Sequence, residues 1–462
     1  MKSHNIFQTV VWTLVWTVLL AACFAGGENS DPAPEVTTLI YAKISANSGE
    51  REPVDTFNRT HTDVQIEIRD YSDENGCQRL LTELAAGRFP DIIDLGGDLS
   101  AGGCRLPYRM LAESGFLENL WPYIENDPDL GREGVVEAPL KAAEVDGGLY
   151  TIFSEVQIDT LAGAASLVGD RTSWSLDELR DAFAVMPEGS TVVEYTYTRG
   201  QMFACIFGMN VDRYVDWKSG TCSFDSEAFR SDLEFINSFP DETGGESNWR
   251  ETEAEITKRK LNGLQMLSRI CIVRPADMQY IDAFYGQGGR AVPVGYPVGD
   301  GSVGSSFQIQ GSSVLAMSSA CQNKDAAWEF MRRLLLRKPL FQSVDILRKT
   351  EASPTSKAVN IPINRADYDV LIQADSSRDL KYPSRKMALF AGPTLELRPA
   401  TEEEVQRYED FLNSVEKIYL FDNEVYQIVE EAAGAYFAED KTLDETVDLI
   451  QRRATLYVNE NT

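Results

Sequence analysis

The chain has 462 residues, 43% of them hydrophobic and 25% charged, a composition that excludes a disordered chain and leaves room for two domains of ordinary size. Its 72 acidic side chains against 43 basic ones give a formal net charge of -29, which repels phosphate backbones and anionic headgroups and weighs against nucleic acid as a partner. With no CxxC and only His4 and His61, the chain lacks the makings of a Cys/His zinc site, and a Ser-His-Asp or Cys-His triad would rest on His61 alone, which reads as a surface residue at a helix end.

The first 22 residues combine Lys2, an apolar run and small residues, the pattern of a secretory signal rather than a folded segment. The closing Leu20-Ala21-Ala22-Cys23 resembles the lipobox of bacterial lipoproteins, which implies cleavage before Cys23 and lipidation of that cysteine. The mature chain would then be lipid-anchored at the extracellular face of the cell membrane, with residues 23–36 as a flexible linker. The alternative is an uncleaved anchor over residues 6–22, at the low end of the roughly 17 to 25 residues a spanning helix needs.

Residues 37–44 (TTLIYAKI) read as a strand, 50–58 as a helix, 64–71 (VQIEIRDY) as an alternating strand, 77–88 as a helix and 90–97 (PDIIDLGG) as a third strand. Strand, helix, strand, helix, strand at this spacing is the βαβ pattern of an α/β sheet with crossover helices. Ligands of such sheets sit at the carboxyl ends of the strands, which directs attention to 45–48 and 94–98. A second alternation covers 149–153 and 160–167, separated by 154–159. Ser175 and Glu178 form a capping box that opens a helix reaching Met186. Residues 253–262 read as helix, 264–273 and 290–296 as strands, and 297–306 as a glycine-rich loop. Near the C-terminus Thr401 and Glu404 cap a helix whose apolar face runs through Val405, Tyr408, Phe411, Leu412, Val415, Ile418 and Tyr419. Residues 425–436 repeat the pattern, and Thr442 with Glu445 caps a last helix through Tyr457. The aromatic stripes of these three helices read as core.

With Cys23 assigned to lipid, Cys77, Cys104, Cys205, Cys222, Cys271 and Cys321 remain, an even number compatible with disulfides outside the cell. Fifteen pairings are open, among which Cys205 with Cys222 closes the shortest plausible loop.

The order Thr56-Phe57-Asn58, Ala86-Gly87 with Pro90-Asp91-Ile92-Ile93, Gly148-Leu149-Tyr150-Thr151-Ile152, residues 174–179 (WSLDEL), Val294-Gly295-Tyr296-Pro297 and residues 323–330 (NKDAAWEF) resembles the extracellular solute-binding proteins of ABC importers, family 1, in particular the maltose-binding-like carbohydrate receptors. The resemblance extends over most of residues 37–460. It implies a two-lobe periplasmic-binding-protein-like fold with discontinuous lobes and a hinge. Residues 37–150 with 312–355 would form the N-terminal lobe and 151–311 with 356–462 the C-terminal lobe, the chain crossing near 153–159 and returning along 306–317. It also implies a monomeric receptor that captures a sugar or oligosaccharide between its lobes and delivers it to a membrane permease, with no cofactor, no metal and no catalysis of its own.

Sugars present apolar ring faces and a rim of hydroxyls, so their sites combine aromatic platforms with Asp, Glu, Asn and Arg. Cleft positions nominate Asn47, Asp94 and Asp98 from the first lobe, Ser154 and Glu155 at the hinge, Tyr195, Tyr197, Arg269 and Tyr296 from the second lobe, and Phe307 on the returning strand, with Trp121 and Trp249 behind them. No GxSxG, P-loop, HExxH or DxDxDG motif occurs. Two other readings remain open: a secreted carbohydrate-active enzyme using a pair of the many carboxylates, and a sensor of the same fold that reports ligand occupancy to a signalling protein.

Overall fold

In the computed structural model the described residues are 36–44, 51–73, 75–95, 106, 108–208, 211–241, 249–286, 288–299, 301–338, 360–376, 385–388, 394–419 and 424–460. In chain order the strands are β1 (Thr37–Lys43), β2 (Val64–Asp70), β3 (Ile92–Asp94), β4 (Ile152–Ala164), β5 (Val215–Asp216), β6 (Thr221–Cys222), β7 (Leu267–Ile272), β8 (Ala291–Pro293), β9 (Ser306–Met317), β10 (Ile361–Pro362), β11 (Arg385–Ala388), β12 (Thr394–Leu397) and β13 (Lys417–Tyr419). β5 with β6 and β11 with β12 are separate ribbons, and the other described strands share one sheet. With its many helices the chain is a mixed α/β protein.

The N-terminal βαβ pattern forms as its spacing dictates. β1 runs parallel to β3, with Tyr41 opposite Ile92, and parallel strands require crossovers, here the helices Arg51–Thr60 and Gly76–Ala85. Leu39, Tyr41 and Ala42 of β1 and Val54 and Phe57 of the first helix are buried. His61, just past that helix, stacks on Phe57 at 3.9 Å and belongs to the local packing.

Around β4 the structure departs from the expected break at 154–159. One uninterrupted strand of 13 residues, about 40 Å long, runs through it. Both of its edges find backbone partners. On one edge β9 pairs along 152–159 and β8 along 162–164; on the other β10 pairs at 155–156 and β7 along 158–163. Polar residues in this stretch therefore do not end the strand, because the ladder satisfies the backbone on both sides. Between Phe153 opposite Val314 and Glu155 opposite Gln310, one residue of β4 faces three of β9, so β9 bulges over 311–313 beside Ser154.

Two hydrophobic cores result. The first gathers β1, β3 and the helix Lys324–Met331 and also takes in residues from 270–291 and 361–415, with Ile152, Phe153, Val156 and Ile158 from β4 and Phe307 and Ile309 from β9. The second gathers the helices Arg199–Phe207, Glu227–Asn237, Glu424–Phe437 and Leu443–Glu460, with Leu161 from β4 and Leu267 from β7. β4 thus serves both. At about 1.5–3 kcal/mol for each large side chain fully buried, both cores are substantial.

All three expected capping boxes form, at Ser175–Glu178, Thr401–Glu404 and Thr442–Glu445. The helix Glu402–Ser414 stops earlier than its apolar face suggested. Ile418 and Tyr419 lie instead in β13, which runs parallel to β9 along the edge that β3 leaves open. Cys77 is disulfide-bonded, with its partner outside the described residues, whereas Cys205, Cys222, Cys271 and Cys321 are free. Of the fifteen open pairings, the one closing the shortest loop, Cys205 with Cys222, does not form: Cys205 is buried in the helix Arg199–Phe207, and Cys222 lies in the β5–β6 ribbon.

Candidate functional site

Where β4 and β9 run side by side, each strand alternates, and residues directly opposite in an antiparallel pair share a face. Val156, Ile158, Phe307 and Ile309 point into the first core. The opposite face carries three polar rungs about 7 Å apart: Glu155 with Gln310, Gln157 with Gln308, and Asp159 with Ser306. The middle rung is joined directly, Gln157 Nε2 donating to Gln308 Oε1 at 3.0 Å, and both carboxamides are part-exposed. β13 adds Lys417 and Tyr419 to this face, opposite Ser306 and Gln308.

The two carboxylates of the face are each matched with a cation. Lys338 Nζ donates to Glu155 Oε2 at 2.7 Å and to Ser154 Oγ at 3.0 Å, and Asn360 Nδ2 donates to Glu155 Oε1 at 2.9 Å. Arg269 grips Asp159 with two bonds, Nε to Oδ1 at 2.8 Å and Nη2 to Oδ2 at 3.1 Å. The Asp159 side chain is 2% exposed and that of Arg269 41% exposed, so the anion is enclosed and the cation reaches the surface. Burial pushes the Asp159 carboxyl above its ordinary range, and Arg269 and the Tyr296 hydroxyl pull against it. Tyr296 donates to Asp159 Oδ2 at 3.2 Å.

Backbone geometry holds Tyr296 in place. Gly295 has φ +77, Tyr296 N donates to Gly304 O at 2.7 Å, and Trp174 Nε1 donates to Gly295 O at 2.9 Å. A Cβ on Gly295 would lie 2.5 Å from the Gly304 carbonyl carbon, so only glycine fits. Tyr197, half-buried, and Cys205, buried, complete the cluster beside Tyr296. Burial pushes the Cys205 thiol up to about 11, and Cys271, opposite Asp159 on β7, is exposed. Burial also raises the Tyr197 hydroxyl.

Of the residues nominated from sequence, Tyr197, Arg269 and Tyr296 come together around Asp159, and Ser154 and Glu155 come together around Lys338. Tyr195 stands on the same loop as Tyr197 but is 40% exposed and packs under Arg259, 5.9 Å from its ring. Asp94 is fully buried at the end of β3, opposite Leu315. Phe307 is enclosed in the first core, because the period of two sends it to the face opposite Gln308. Trp121 is also core, its Nε1 bonded to Glu144. Asn47, Asp98 and Cys23 lie outside the described residues, as does the side chain of Trp249. Sequence reasoning missed Gln157, Asp159, Gln308 and Gln310, although the alternations Glu155-Val156-Gln157-Ile158-Asp159 and Ser306-Phe307-Gln308-Ile309-Gln310 carry the signal. Lys338 and Asn360 had none, since they reach Glu155 from about 180 and 205 residues away.

No protein-family model matches the chain, and no curated protein matches it. Among solved structures it is similar to a family 1 extracellular solute-binding protein from Alicyclobacillus acidocaldarius, 14% identical over 92% of this chain and 99% of that one with a TM-score of 0.44. It is similar also to the galacto-N-biose/lacto-N-biose I-binding protein of the ABC transporter from Bifidobacterium longum, 12% identical over 92% and 98% with a TM-score of 0.45. A third similar structure is the sugar-binding protein MalE from Xanthomonas citri, 16% identical over 92% of this chain and 98% of that one with a TM-score of 0.48.

Proposed function

We propose that the chain is the extracellular solute-binding component of an ABC importer, which takes up a sugar or oligosaccharide between two lobes built on the two cores and passes it to a membrane permease. The observation that carries this reading is the part-exposed polar face that β4 and β9 share, β4 being a strand that packs into both cores. Carboxamides and hydrogen-bonded carboxylates on such a face match the donors and acceptors of hydroxyl groups. Contacts made to both lobes at once would favour a closed form, and the permease would recognise that form. The same proposal makes Cys23 the lipid attachment point and the protein a membrane-tethered monomer, since tethering raises the local concentration of receptor and permease. The chain would bind without turnover: Glu155 and Asp159 are already committed to Lys338 and Arg269.

Calorimetry with a panel of neutral sugars, amino acids and peptides tests the reading, with solution scattering to follow closure. A stoichiometric heat with sugar and a more compact liganded form are expected. Tight peptide binding with no sugar response would remove the carbohydrate assignment, and turnover of a glycoside would remove the receptor.

A further inference from the structure

We propose that Asp159 sets the charge preference of this site: by holding Arg269 as a compensated pair, it makes the site select uncharged, hydroxyl-rich ligands over their carboxylate-bearing counterparts. The inference rests on the solute-binding reading above and deepens it. Arg269 engages Asp159 through Nε and Nη2, which leaves Nη1 of a part-exposed guanidinium for a ligand. A guanidinium without a counter-charge would grip a carboxylate through paired bonds and so favour acidic ligands. Here Asp159 cancels most of the Arg269 field, so an incoming carboxylate gains too little attraction to offset the loss of its hydration, whereas a hydroxyl accepts a bond from Nη1 at no such cost.

The surroundings reinforce the balance. Tyr296, 1% exposed, donates to Asp159 and so favours its ionised form. The other titratable groups beside the pair are neutral, Tyr197 as a phenol and Cys205 and Cys271 as thiols. Lys417, opposite Ser306 on β13, is engaged in contacts of its own. The next rung along β4 is the Gln157–Gln308 carboxamide pair, which reads hydroxyls and carries no charge. Asp159 is thus a positioning residue that acts through Arg269.

The test compares neutral trisaccharides of glucose and galactose with the trimers of glucuronic and galacturonic acid, measured by calorimetry on the full chain. Wild type is expected to bind a neutral trimer at least about tenfold more tightly than its uronate counterpart, since the compensated pair returns too little attraction to repay the desolvation of a carboxylate. Asp159→Asn should shift the ratio toward the uronate by about tenfold to a hundredfold. The double variant D159N/R269Q, with no cation left, should show no gain for the uronate, and it keeps the test usable if the single variant does not fold. A merely structural Asp159 would weaken both ligand classes together, and that result, or a wild type with no preference for the neutral trimer, would overturn the assignment. If wild type gave no heat with either class, the solute-binding reading itself would fall, whereas neutral selectivity unaltered by D159N would leave that reading standing and remove the role of Asp159.

Discussion

The strand that presents Arg269 and Cys271 is anchored at its far end by a buried charge cluster, and that cluster should impose a measurable pH dependence on stability. Asp277 lies at the start of the helix Ala276–Tyr285, just after β7. Its Oδ2 accepts from Val273 N at 2.9 Å and Arg274 N at 3.1 Å, and its Oδ1 lies 3.6 Å from Arg274 Nε. Asp375, itself 3.8 Å from Arg274, adds a second buried anion to one cation. Burial pushes Asp277 up to about 6 from its ordinary 3.8, with Arg274 opposing and Asp375 adding to the rise. Because the folded-state value is raised, the contribution of this group is fully present below 3.8 and is lost as the pH rises through 6. The full span of roughly two pH units corresponds to about 3 kcal/mol, of which about 1.4 kcal/mol falls between about pH 5 and about pH 7.5. Asp277→Asn has no proton to lose there. Urea unfolding of both proteins at those two pH values should show wild type losing about 1.4 kcal/mol relative to the variant on going to the higher pH, with unchanged slopes. A stability difference that stays constant across the two pH values would refute the reasoning, because the cost would then not be that of an ionised buried carboxyl.

Gly295→Ala should lower stability by about 3 kcal/mol, the sum of a left-handed backbone for alanine and overlap with Gly304, and should loosen Tyr296; thermal melting and tyrosine fluorescence would report both effects. Gln157→Leu and Gln308→Leu should each weaken the bound ligand about tenfold while leaving the melting temperature nearly unchanged, because both side chains are part-exposed and bond chiefly to each other. An unaltered affinity in both variants would take the carboxamide rung out of the site. Cys205, buried and with its thiol pushed up to about 11, should alkylate with iodoacetamide at neutral pH far more slowly than an ordinary cysteine, and mass spectrometry of the timed reaction would detect a fast thiolate there.

Local signals carried much of the fold. The βαβ alternation from β1 to β3 and the three capping boxes are each written in nearest neighbours, through a period of two or a Ser/Thr followed three residues later by Glu, whereas a strand over 306–317 was expected from the family resemblance. The helix over 402–414 was also legible, but its end was not. Val415, Ile418 and Tyr419 fit a helical face as well as they fit an exit and a strand, and the open edge of β9 decided between them.

For the site, the chain by itself determined which residue types alternate along β4 and β9, and therefore that one face of this strand pair is apolar and the other polar. Tertiary structure decided which polar groups meet. Arg269 finds Asp159 across a cross-strand diagonal set by the β4–β7 register, and Lys338 and Asn360 find Glu155 from far along the chain. Alternation is a property of successive residues, whereas register and charge pairing depend on which strand edges remain open after the cores have packed; the first can be read along the sequence, and the second exists only once the chain has folded.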